Sequence, residues 1–130
     1  EAARRGGGAA ADELADNLAH MKTLIAQENF GPYLDAHREF HFRIYKMAGN
    51  PILSELIETL WLRFGPVLAF VVPAYVKRLK GTDYHSAVVE AIRQADSTAA
   101  ETAIIADIRG AAAYLAGLAD DSGVIMSPNG

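Results

Sequence analysis

Two histidines four residues apart, His37 and His41, stand in the stretch "LDAHREFHFRIYKMAGNP" (34–51). On a helix, positions i and i+4 share a face with their β-carbons about 6 Å apart. A helical projection puts Leu34, His37, His41, Ile44 and Ala48 in one stripe, opposite Asp35, Glu39, Arg43 and Lys46. Both imidazoles therefore belong to the apolar face. A single core histidine is ordinarily satisfied by a backbone carbonyl. Two in register both need partners.

The C-terminal half offers them. His85 shares a helical face with Val88, Val89 and Ile92, and Asp107 shares one with Ala100, Ala103, Ile104, Ala111 and Tyr114. A carboxylate on such a stripe costs several kcal/mol unless it is paired or bound to a metal. The turn between these two segments lies near Asp96, eleven residues after His85 and eleven before Asp107. In an antiparallel hairpin each then sits roughly 16 Å from the turn, level with the other. Three neutral imidazoles and one carboxylate suit a single divalent transition metal: zinc first, with nickel, iron or manganese as alternatives. The plainer alternative is a set of unrelated core histidines with Asp107 at the surface. His20 falls outside the set and reads as a solvated helix residue.

These residues need helices to hold them, and the chain is punctuated for helices. Alternating β-branched runs and Asn-Gly or Asp-Gly hairpin turns are missing. "EAARRGGGAAA" reads as a frayed or interrupted helix, and Leu14, Leu18, Met21 and Ile25 recur at helical spacing within 11–28. Phe30-Gly31-Pro32 breaks the chain, with Pro32 suited to the first turn of a helix running to Ala48. Gly49 ends that helix, Asn50 caps the next and Pro51 takes its first turn. Segment 51–80 is strongly apolar, with kinks expected at Gly65-Pro66 and Pro73. Thr82 or Asp83 opens a helix to about Ala95, and Asp96 or Ser97 opens the last, to about Leu118. The expected fold is all-α: one domain over 1–130, an antiparallel bundle of about six helices, with frayed ends at about 1–10 and 119–130.

Composition narrows the function classes. The chain has no run of 18 uncharged apolar residues, and its most apolar stretch, "PVLAFVVPAYV" (66–76), is interrupted by Pro73, so no membrane span is expected. Cysteine is missing, which removes thiolate metal sites and suits a cytoplasmic location. Net charge is −4 and no basic cluster exceeds "KRLK" (77–80), so this chain alone is not expected to bind DNA.

"FHFRIYKMAGNPIL" (40–53), followed by "HSAVVEAIRQADSTAAETAIIADI" (85–108), resembles the C-terminal effector-binding (FCD) domain of FadR-type GntR transcription regulators. The resemblance spans about residues 11–118, and "EAA" at 1–3 resembles the end of that domain's first helix. It implies that the chain starts inside this helix, without the winged helix-turn-helix through which such regulators bind DNA. It also implies an antiparallel helical bundle, with a metal held by Asp-x₃-His and two later histidines. His41 and His85 match ligand positions. His37 stands where the family has Asp, and Asp107 where it has the last His. The carboxylate and an imidazole have changed places, leaving the inventory at three His and one Asp.

The leading expectation is thus a sensory domain rather than an enzyme. A small organic acid, such as a di- or hydroxycarboxylate, completes the metal's coordination and shifts the DNA-binding domains of a homodimer. Arg63, between Leu60 and Val67, is the candidate for a buried second anchor, with Arg38 and Tyr45 flanking the histidine face; a surface or interhelical ion pair is the equal alternative for each arginine. Two rivals use the same residues. One is a metalloenzyme working through metal-activated water, although no spare Glu or His is placed as a general base. The other is a metal-stapled dimerisation module without an effector.

Overall fold

The computed structural model describes residues 1–5, 7–78 and 82–125. Six helices follow one another: α1 (Ala2–Arg5), α2 (Gly8–Ala26), α3 (Phe30–Met47), α4 (Pro51–Arg78), α5 (Thr82–Arg93) and α6 (Ser97–Leu118). The fold is an all-α helical bundle. A lone antiparallel bridge between Ala119 and Ile125 is the only extended pairing among the described residues. Leu79 and Lys80 of "KRLK" and residues 126–130 of the tail lie outside them.

The core forms where three amphipathic stripes meet. From α2 come Ala11, Leu14, Leu18 and Met21; from α3, Phe40 and Ile44; from α5, Val88 and Ile92. α2 packs on α3 and α5, α5 on α6, and α3 on α4. The glycine-rich start is an interrupted helix, as its composition suggests. Ala2 and Ala3 are nevertheless buried, and α1 packs against α3, α5 and α6. Small side chains let this single turn sit close to its neighbours.

Two turns set the register of the functional residues. Gly49, at φ +71°, ends α3 in the left-handed conformation, and Asn50 Oδ1 accepts the Leu53 N–H at 3.0 Å. Between α5 and α6, Ala95 takes φ +55° and the Asp96 N–H donates to the Ala91 carbonyl at 2.8 Å. Asp96 Oδ1 then accepts from the Ala99 N–H at 2.9 Å, which starts α6. α3 begins two residues before Pro32, which lies in its first turn where a missing N–H costs nothing.

α4 departs most from a packed bundle helix. It runs on through Pro66 and Pro73 as one helix of 28 residues. Its inner residues face α3 and a cavity, while Ile52 and Leu62 are 72% and 71% exposed, and Leu56 and Phe70 more than half exposed. The apolar stretch reaches beyond 66–76: Pro51–Val76, which contains an 18-residue window of mean hydropathy 1.5, is long and apolar enough to cross a bilayer by length and composition. Its inner face nevertheless builds a cavity with α3 and α6.

Candidate metal centre

His37 and His41 lie on successive turns of α3, their rings 4.6 Å apart. His41 is buried and His37 half-buried on a cavity wall. His85, at the start of α5, is buried among the helix's valines and lies 5.2 Å and 5.4 Å, ring to ring, from His37 and His41. α6 brings Asp107 level with His85, as the hairpin spacing requires: Oδ2 is 3.1 Å from His85 Nε2 and 3.3 Å from His41 Nε2. One ligand atom from each of the four residues falls within 4.8 Å of the others. The sequence-derived set therefore converges completely.

The electrostatics suit a cation. Burial lowers the pKa of His37 and His41 below the usual 6.5, which keeps both imidazoles neutral with a lone pair to offer. Burial alone raises Asp107, but its contacts with the His41 and His85 rings outweigh that and hold it well below the ordinary carboxylate range. The cluster therefore carries a carboxylate anion beside the neutral rings of His37 and His41. His41 Nε2 is close to that carboxylate yet not aligned for a hydrogen bond, and it remains a buried polar atom without a partner. A lone pair aimed at a shared centre accounts for that geometry. On the other side of the ring, Tyr45 Oη lies 3.2 Å from His41 Nδ1. An Nδ1–H donating to that hydroxyl fixes the tautomer that leaves Nε2 free for a metal.

The cluster sits on the wall of a cavity of about 440 Å³, lined mainly by α3, α4 and α6 and partly open to solvent. Aliphatic side chains dominate its lining, with Trp61 and Phe64 from α4. Trp61 lies 5.7 Å from the His37 ring and 5.9 Å from the His41 ring. Tyr33 stacks on His37 at 5.7 Å. Tyr75 and Tyr114 meet ring to ring at 4.7 Å, and Tyr114 Oη is buried without a hydrogen-bond partner. Burial pushes the phenols of Tyr45 and Tyr75 up to about 12, and that of Tyr33 further.

Of the three residues expected to flank an effector, only Tyr45 lines this cavity. Arg38 faces a neighbouring groove that shares Trp61, Leu34 and Leu68 with the cavity. There it is tied to Glu58 at 2.6 Å and lies over the Phe42 ring. Arg63 corrects the expectation of a buried anchor: it is exposed on α4 and outside the cavity lining. A register argument made on α4 alone could not tell which flank faces α3. Trp61, Tyr33 and Tyr114 were missed as wall residues. Tyr33 was within reach of the sequence, four positions before His37 on the same face.

The chain belongs to the FCD domain family, whose model matches residues 1–110 and so includes all four cluster residues. This is the family that the "FHF…AGNP" and "HSAVV…" stretches resemble. Among characterised proteins, the HTH-type transcriptional regulator McbR of Escherichia coli (strain K12) is 32% identical over 62 residues, which is 48% of this chain and 28% of that regulator. No solved structure matches the chain.

Proposed function

We propose that this chain is the ligand-sensing domain of a cytoplasmic transcription regulator, that His37, His41, His85 and Asp107 hold one divalent transition metal, and that a small organic acid binds in the adjoining cavity. The observation that carries this reading is the convergence of four donors, from three helices, at the wall of a ligand-sized cavity. Family membership and the similarity to a transcriptional regulator support the sensory role. When bound, a metal such as zinc supplies a Lewis-acidic position that a carboxylate can occupy.

The residues have separable tasks. His37 and His41 offer lone pairs because burial keeps them neutral, and Asp107 brings the negative charge that favours a cation. Tyr45 orients His41. Trp61 and the aliphatic wall exclude water from the bound acid. Sensing is favoured over catalysis by what lines the cavity. Among the described residues, every carboxylate and imidazole on it already belongs to the cluster, and Tyr45 and Tyr75 titrate too high to exchange protons near neutrality. The net charge of −4 favours DNA contact through another domain. The exposed apolar side of α4 favours a homodimer.

Elemental analysis of protein purified without a polyhistidine tag tests the metal. About one equivalent per chain is expected, reduced in His41→Ala. Protein that neither carries a divalent metal nor can be loaded with one overturns the proposal.

A further inference from the structure

A buried carboxylate needs a positive partner, and among the described residues the cavity offers none beyond a metal that the cluster would hold. Among the described residues its wall contains no lysine or arginine. Arg38 is engaged by Glu58 outside it, and Arg63 is on the exposed side of α4. A ligand's first carboxylate can be met at the His37/His41/His85/Asp107 end. A second, set against Leu68, Val72 or Leu115, would find no cation to pair it, which is costly wherever it is shielded from water.

The far end points the same way. Tyr114 follows Asp107 by seven residues on α6, roughly 10 Å along the helix axis. Both line the cavity, which therefore reaches at least that far from Asp107 along α6. The polar groups Tyr114 and Tyr75 offer at that end are phenols, neutral across the physiological range in the case of Tyr75, whose pKa burial raises to about 12. Such an end can donate a hydrogen bond but brings no positive charge to balance a second carboxylate.

We propose that the ligand is a monocarboxylic acid with an extended apolar body, of the medium-chain fatty acid type, its carboxylate at the cluster and its tail along α4 and α6 toward Tyr114. This deepens the sensory reading above and rests on it for the metal at the head end. It differs from the di- and hydroxycarboxylates expected from the sequence, for which Arg63 was the candidate second anchor and is exposed.

Calorimetry with butyrate, hexanoate, octanoate and suberate, on metal-loaded and on chelated protein, tests it. Suberate has the eight carbons of octanoate and a second carboxylate. In the loaded protein, affinity should rise about fourfold per added methylene. Octanoate should bind roughly 30-fold more tightly than suberate, the factor that about 2 kcal/mol of unpaired charge burial produces. Ala112→Arg, at an exposed position of the cavity wall two residues before Tyr114, should narrow that gap by giving the second carboxylate a partner. Suberate binding as well as octanoate, affinity indifferent to chain length, or no binding by any of the acids overturns the inference. Octanoate binding that survives chelation with its chain-length dependence intact overturns the metal reading and leaves this one standing.

Discussion

His85 and Asp107 are 22 residues apart in the chain and 3.1 Å apart in space. Their meeting follows from one turn: each lies eleven residues from Asp96, and α5 and α6 pack along their length. A register shift of one residue in either helix would turn its donor by about 100° away from the other. The turn that fixes the register is therefore as much a part of the candidate site as the four side chains.

Ala95→Gly is expected to stabilise the protein by about 1 kcal/mol, because Ala95 takes φ +55°, where a β-carbon is strained and glycine is not. Asp96→Ala should destabilise by about 1 kcal/mol through loss of the bond to the Ala99 N–H. Denaturant titration of both variants checks the pair of opposite signs. Ala95→Gly without a stability gain would contradict the strain at this turn.

The exchanged ligands form a second test. If His37 and Asp107 share one metal, the double variant His37→Asp, Asp107→His restores the family arrangement. Each single change leaves an unbalanced inventory, with either two carboxylates or four imidazoles, and should lose affinity or change the preferred metal. The double should recover much of the loss, with a coupling of roughly 0.5–3 kcal/mol. Metal titration of all four proteins closes the cycle, and additive losses would place the two residues in separate sites.

Trp61 is the only tryptophan in the chain and lies over the His37 and His41 rings. Titrating nickel into metal-free protein should quench its fluorescence in step with site occupancy. Tyr45→Phe should weaken the metal by about 10- to 100-fold, because His41 loses the group that orients it. Unchanged fluorescence through saturation would place the metal away from α3.

Stability of the metal-free protein should fall with acid. His37 and His41 have folded-state pKa values below the 6.5 of the unfolded chain, so on acidification the unfolded state takes up protons first. Their contribution is complete above about pH 6.5 and is lost as pH falls from there toward the depressed folded values. Asp107 adds a loss of the same sign below 3.8, because its folded-state pKa is lowered. Thermal melts at pH 7.5 and 5.5 should give a lower Tm at 5.5, and replacing His37 and His41 by Gln should shrink that difference. An equal drop in the Gln variants would assign the acid sensitivity elsewhere.

The apolar outer side of α4 yields a fifth expectation. Leu62→Glu, at a position 71% exposed in the single chain, should shift the protein toward monomer by sedimentation at micromolar concentration. Wild-type protein that sediments as a monomer would show that this side is not a self-association surface.

What the sequence made legible was what local periodicity encodes. The α3 stripe, the Gly49–Pro51 punctuation and the count of residues around Asp96 each depend on one helix or one turn, and they place all four donors. Arg63 and Trp61 depend on something else, namely how α4 is rotated about its own axis. A helix apolar on most of its circumference has no single stripe from which to read that rotation. The cavity wall was hidden for the same reason, since it exists only once α3, α4 and α6 stand together.

Pro66 and Pro73 leave α4 short of two backbone donors, so the carbonyls of Leu62 and Ala69 have no ladder partner. Both residues are on the exposed side, where water can take the bonds. Helices bend most easily where such bonds are missing, which makes α4 the compliant wall of an otherwise well-packed box. Its inner side carries Trp61, Leu68 and Val72, and its outer side carries Leu62 and Phe70. The volume of whatever lies inside is thereby coupled to the curvature of the surface offered outward. Hydrogen exchange along α4, with and without octanoate, would register that coupling as slowed exchange centred on the two prolines.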